Sequence, residues 1–133
     1  MQKFLIKMKK YFSKYNIPTV NYKIISKNFS EKELSNISFP VVIKPLDSQG
    51  QRGVFRLNSI KEIRNHFPEV LSYSREDEIL VEEYYKSYEI TISGWVYDGK
   101  LYILTVTDRI TYENDSHIGI CSAHIVCSDD VDN

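Results

Sequence analysis

Lys44 ends a β-branched run, Pro40-Val-Val-Ile-Lys44, and a proline and a polar loop with two glycines follow it, Asp47-Ser48-Gln49-Gly50-Gln51-Arg52-Gly53. Gly50 and Gly53 permit positive φ and close backbone approach. Backbone amides in such a loop can turn inward and cradle an anion, and a lysine beside them adds a point charge. The stretch is neither a Walker sequence nor a dinucleotide fingerprint. A solvated strand-end lysine beside an ordinary hairpin loop is the competing reading. A second stretch, Ile79-Leu-Val-Glu82-Glu83-Tyr84-Tyr85, is an apolar strand running into two carboxylates and two aromatics, with Glu89 further on. The backbone of such a connector can present its N–H and C=O groups to an adenine edge, and a carboxylate at Glu89 can accept from ribose hydroxyls. An acidic solvated connector is the alternative there.

The elements that must position these residues follow from periodicity. Residues 3–15 read as an amphipathic helix, with Phe4, Leu5, Met8, Phe12 and Tyr15 at steps of three and four. Asn16 and Pro18 end it. Residues 20–25 read as a strand, and Ser30-x-x-Glu33 as a capping box opening a short helix with Leu34 and Ile37. Residues 41–44 and 54–57 are strands flanking the glycine loop, the first expected to be buried on both faces and stopped by Pro45. Ser59-x-x-Glu62 opens a helix burying Ile60, Ile63 and Phe67, which Pro68 is expected to break. Strands are expected at 78–85, 88–97 and 100–108. Asp98-Gly99 between the last two is a strong hairpin signal. A further strand, an edge, is expected at 117–126, and 128–133 reads as a polar tail. The order predicts an α+β fold with mostly antiparallel pairing.

Composition bounds the partners. The chain has 133 residues, a net charge of −1 and 42% hydrophobic content, as in an ordinary globular domain without a broad nucleic-acid-binding surface. Lys3, Lys7, Lys9, Lys10 and Lys14 share one helical stretch and read as a solvated face. No apolar run approaches the ~18 residues of a membrane span, and lysines interrupt any signal-like core. Two cysteines make no disulfide framework, so a cytoplasmic setting with reduced thiols is expected. Ten tyrosines and six phenylalanines are expected largely to pack or line a pocket.

Taken together, the lysine-ended strand, glycine loop, helix, glutamate-ended strand, aromatic connector and further glutamate resemble the ATP-grasp superfamily, nearest in texture to the carbamoyl-phosphate synthase large chain and biotin carboxylase. The resemblance covers about residues 1–127 and is strongest over 39–94. It implies an ATP-grasp lid lobe over residues 18–84 after a lead-in helix at 1–17, and the first strands of the large lobe over 85–127. It implies that Lys44 contacts the nucleotide phosphates, that the loop holding Ser48, Gln49, Gly50, Arg52 and Gly53 closes over them, and that Lys3 is an early phosphate-binding lysine. Glu82 would accept from the adenine amino group, the backbone of Glu83, Tyr84 and Tyr85 would read the adenine edge, and Glu89 would hold the ribose. Ser87 stands where the family's hinge usually has glycine. The parent reaction implied is ATP-dependent activation of a carboxylate, bicarbonate or carbamate as an acyl phosphate, attacked by an amine or similar nucleophile. The family's Mg²⁺ ligands sit on later strands that this chain does not contain. The metal set here is therefore none, and the chain alone is not expected to complete the reaction. A non-catalytic nucleotide- or partner-binding module, or one half of a split enzyme, are the alternatives. An unpaired edge at 117–126 invites a homodimer.

Other candidates carry less. Asp129, Asp130, Asp132 and Asn133 lie in the tail. Cys121-x-x-His124-x-x-Cys127 has metal-ligand types, but three ligands in one strand do not wrap a tetrahedral ion. Thr107-Asp108-Arg109 reads either as substrate-facing or as a strand-end ion pair. His66 reads as a surface or half-buried residue and Trp95 as core.

Overall fold

A computed structural model describes residues 4–47, 50–111 and 120–126. They fall into two compact units divided between Tyr85 and Lys86. The first unit runs α1 (Phe4–Lys14), β1 (Tyr22–Ser26), a 3-10 helix (Glu31–Leu34), β2 (Val41–Pro45), β3 (Phe55–Leu57), α2 (Ile60–Ser72) and β4 (Glu78–Glu83). Its sheet has the order β1-β4-β2-β3 with every pairing antiparallel.

Helix α1 ends because Asn16 takes a left-handed conformation, φ 53°. The Ile17 N–H then reaches back to the Phe12 carbonyl at 2.9 Å, closing the last turn. Tyr15 lies beyond the helix and is 60% exposed, stacked on Tyr11, so the apolar stripe stops at Phe12. The Glu33 carboxylate accepts from the Ser30 N–H at 2.7 Å, the capping contact read from the sequence. At the start of α2 the Ser59 hydroxyl accepts from Glu62 N–H, and the Glu62 carboxylate reaches one residue further back, to Asn58 N–H at 2.8 Å.

Pro68 does not break α2, which is helical through Ser72. The carbonyl that loses its donor belongs to Arg64, and Arg64 and Pro68 are both exposed, so that group can meet water. Ile63, Phe67 and Val70 lie on the other side and stay fully packed. Val70 and Leu71 therefore belong to α2 itself.

Strand β2 is buried on one face only, in the pattern Val41, Ile43 and Pro45 buried with Val42 and Lys44 half-buried. Pro45 is itself the last residue of β2. Pairing with β3 ends at Ile43, so the last positions of β2 have β4 on one side alone, where a residue lacking N–H is tolerated. The core lies on the Val41/Ile43 face, where Ile25, Ile79, Val81 and Leu57 meet Phe29, Leu34, Ile37, Ile63, Phe67 and Val70. Strand alternation sends Lys44, Glu82, Val42 and Arg56 to the opposite face.

The second unit is a three-stranded antiparallel sheet of order β5-β6-β7, with β5 at Ile90–Tyr97, β6 at Lys100–Thr111 and β7 at Cys121–Val126. Asp98 and Gly99 both have positive φ, 47° and 71°, as the tight turn joining β5 to β6 requires. A bulge follows Ser93. Gly94 is obligatory there, because a Cβ would collide with the Tyr102 carbonyl oxygen. The register puts Ile90, Ile92, Val96, Leu101 and Ile103 on one face, each between 54% and 71% exposed. Trp95 is not core. It stacks on Tyr102 with ring centroids 5.9 Å apart and remains half exposed, because the described elements of this unit are one sheet with no second layer. The aromatic load is likewise less packed than expected, with Tyr85 74% and Tyr88 90% exposed. No described helix is long and apolar enough to cross a membrane.

Candidate nucleotide-binding site

The register that pairs Val42 with Glu82 and Lys44 with Leu80 makes Lys44 and Glu82 diagonal neighbours on the sheet face opposite the core. Their ammonium and carboxylate form an ion pair through Glu82 Oε2. The other oxygen, Oε1, takes the ammonium of Lys9 at 2.5 Å. Lys9 also donates to the Thr19 hydroxyl at 2.6 Å and lies 5.2 Å from the centroid of the Tyr22 ring. Glu82 is 7% exposed and Lys9 4%. Both oxygens of the carboxylate are thus committed to ammonium groups. Burial pushes the Glu82 carboxyl up, but the charge of Lys44 and hydrogen bonds from Lys44 and Lys9 outweigh it and hold the carboxyl below its ordinary value.

Lys9 is the functional candidate that the sequence reading missed, having been assigned to a solvated lysine face. A signal was present: Leu5, Lys9 and Phe12 fall at steps of four and three, so Lys9 lies within the apolar stripe while Lys7, Lys10 and Lys14 do not.

The last residue of β4 and the first of the connector beyond it are both held. Glu83 N–H donates to the Asn21 carbonyl at 3.0 Å and Tyr84 N–H to the Pro40 carbonyl at 2.9 Å. The Glu83 carboxylate accepts from Ser38 N–H at 2.8 Å and Asn21 Nδ2 at 3.2 Å, which keep its carboxyl below the ordinary value. The Arg56 guanidinium lies over the Tyr84 ring, 5.0 Å from its centroid.

The glycine loop is tethered at its start. Asp47 accepts from the Ser74 hydroxyl at 2.5 Å and from Arg75 N–H at 3.2 Å, in the turn between α2 and β4, and the Ser74 bond chiefly lowers its carboxyl. Gly50, Gln51 and Gly53 all have positive φ, at 72°, 58° and 70°. Gly50 and Arg52 are exposed, whereas Gly53 is buried. Ser48, Gln49 and Lys3 lie outside the described residues.

In the second unit, Glu89 pairs with Arg109 at 2.6 Å, and Arg109 N–H donates to the Glu89 carbonyl at 2.8 Å. Thr107 Oγ1 and His124 Nδ1 are 3.0 Å apart, and His124 Nε2 is 3.4 Å from Cys121 Sγ. Cys127 and the aspartates of the tail lie outside the described residues. Among the described residues no three His, Cys, Asp or Glu side chains gather to hold a metal ion. His66 is half-buried, its ring tilted on Phe55 and Nδ1 3.0 Å from the Glu62 carbonyl.

These carboxylates set a pH dependence. Glu82, Glu83 and Asp47 titrate lower in the folded chain than in the unfolded one, so through the acid range the unfolded state binds more protons. Their stabilisation is complete above the ordinary carboxylate range, near roughly pH 4, and is lost as pH falls through the folded values. The urea midpoint should therefore drop on acidification across that range. Glu82→Gln should flatten the drop, and an equally steep profile in the variant would rule Glu82 out as its main source.

A family model described as D-ala D-ala ligase C-terminus matches residues 11–117. The carbamoyl-phosphate synthase of Methanobrevibacter smithii is 30% identical over 95 residues, 71% of this chain and 24% of that protein. The D-alanine–D-alanine ligase of Francisella tularensis is 29% identical over 98 residues, 70% of this chain and 31% of that protein. Among solved structures, the D-alanine–D-alanine ligase of Bacillus anthracis complexed with ATP is 27% identical with a TM-score of 0.59, over 76% of this chain and 32% of that one. The chain thus spans less than a third of the length of the curated relatives it matches.

Proposed function

The chain belongs to the D-Ala D-Ala ligase C-terminus family of ATP-grasp proteins, and from that premise we propose that its first unit is the lid lobe that grips ATP and its second the start of the large lobe. What carries the reading is the Lys44–Glu82 pair on the face of the sheet that the core does not use, beside a tethered loop rich in positive φ. Lys44 binds the nucleotide phosphates, exchanging part of its contact with Glu82 for phosphate oxygens. The loop carrying Ser48, Gln49, Gly50, Arg52 and Gly53 closes over them with backbone amides. Glu83 and Tyr84 have committed their N–H groups to Asn21 and Pro40, so the adenine edge is read by the Glu83 and Tyr84 carbonyls and the Tyr85 N–H. Glu82 lies beside the adenine amino group and Glu89 takes the ribose hydroxyls.

In the parent reaction ATP phosphorylates a carboxylate, bicarbonate or carbamate, and an amine or similar nucleophile attacks the acyl phosphate. This chain's share is positioning and charge stabilisation. Magnesium supplies neutralising charge in such chemistry, but the described side chains do not gather into a set that would hold it. It is therefore given no residue here. Among the described residues β7 pairs with β6 alone, and its other edge is where a second copy would add.

Calorimetric titration tests the site. ATP is expected to bind weakly, and Lys44→Ala should lower its affinity roughly 10- to 100-fold, the usual worth of a charge-assisted hydrogen bond, while leaving adenosine binding nearly unchanged. ATP affinity unaltered by Lys44→Ala would remove Lys44 from the site.

A further inference from the structure

The cluster on the sheet face opposite the core holds two ammonium groups around one carboxylate, and the two lysines differ in their surroundings. Lys9 is 4% exposed and engages Glu82, the Thr19 hydroxyl and the Tyr22 ring. The Lys44 side chain is 27% exposed. A single Lys44–Glu82 pair would already balance the charge, and desolvating a second lysine is costly. The buried lysine therefore changes something the pair alone does not provide. With Lys9 in place the cluster carries one net positive charge; without it, none.

We infer that Lys9 is a positioning residue for the anion site: it neutralises Glu82 from the buried side, so that Lys44 keeps an uncompensated charge for a phosphate group. The inference rests on the reading of Lys44 as the phosphate ligand. When a polyanion arrives, Lys44 can swing its ammonium outward because Glu82 remains paired with Lys9. A carboxylate facing Lys44 alone would be stranded by that movement, and would hold the lysine back.

The test uses inorganic tripolyphosphate, which lacks the base and sugar, titrated calorimetrically at low salt. Lys9→Met should bind it roughly tenfold more weakly than wild type, about the worth of weakening one charge-assisted hydrogen bond. Lys9→Met/Glu82→Gln restores the net charge and should return affinity to the wild-type level, which a merely structural role for Lys9 would not do. Unchanged affinity in Lys9→Met, or a double variant no better than the single one, would overturn the inference. If Lys9→Met does not fold, the double variant, which buries no unpaired charge, carries the test. Wild-type affinity would then uphold the inference and a tenfold loss would overturn it. A wild type that binds no tripolyphosphate would give a different result: it would remove the phosphate reading of Lys44 itself, and this inference with it.

Discussion

Glu82→Ala should destabilise the first unit by about 3–5 kcal/mol, the usual cost of breaking a buried ion pair from one side. The substitution removes the anion that two lysines share. Lys44, partly exposed, can turn to water. Lys9 cannot do so without leaving the apolar stripe of α1, and its remaining acceptor is the neutral hydroxyl of Thr19. The buried ammonium must then draw water in around it. Urea unfolding at neutral pH checks this: the midpoint should fall with the slope unchanged. Lys9→Met/Glu82→Gln should lose much less, since it leaves no unpaired charge behind. Glu83→Ala, one residue on but on an exposed carboxylate, should move the midpoint far less. A loss for Glu82→Ala no larger than that of an ordinary surface substitution, about 0.5 kcal/mol, would mean that the cluster contributes charge without holding the fold.

The same cluster shows where a sequence stops informing. Lys44 and Glu82 were each legible as strand-end residues, because β-branched and apolar runs precede both. That they face one another depends on register: the Val42–Glu82 pairing puts them on one face, and a slip of one residue would send Glu82 into the core side. Alternation within a strand is local, whereas register across β2 and β4 is set by packing. Lys9 failed for a different reason. Counting lysines along α1 suggested a charged face, although only the helical angle of each one decides whether it meets water. Pro68 failed because the rule for prolines in helices concerns the carbonyl one turn back, and here that carbonyl lies on the exposed side. The Asp98-Gly99 turn succeeded because its requirement, two successive positive φ values, is met within two residues and needs nothing from the rest of the chain. In β5 and β6 the hairpin was legible, but the apolar face that its register assembles from Ile90, Ile92 and Val96 meets no second layer among the described strands of this unit.

Gly53→Val should cost roughly 2–4 kcal/mol, combining backbone strain at a left-handed position with overpacking. Gly53 has φ 70° and is buried. A Cβ there would come 2.7 Å from Tyr73 Cδ2 and 3.1 Å from Pro45 Cγ. Gly50, in the same loop with φ 72°, would meet nothing within 4 Å. Gly50→Ala should therefore cost only the strain of a left-handed alanine, about 1–2 kcal/mol. The two positions separate strain from collision. Tyr73 is 43% exposed and can swing aside, so Gly53→Ala in a Tyr73→Ala background should recover the part of the loss due to the ring and keep the part due to Pro45. Pro45 cannot yield in the same way, because its backbone is paired to Ile79 at the end of β2, immediately after Lys44. Pressure on Pro45 is pressure on the lysine beside it. Gly53→Val should thus weaken ATP binding strongly as well as folding, whereas Gly50→Ala, which meets no neighbour, should weaken ATP binding less, through the loop amides alone. Urea midpoints and ATP titrations on the same variants decide it. Equal stability losses at the two glycines would show that the close approach of Gly53 to Tyr73 and Pro45 is relaxed without cost and that only the positive φ matters.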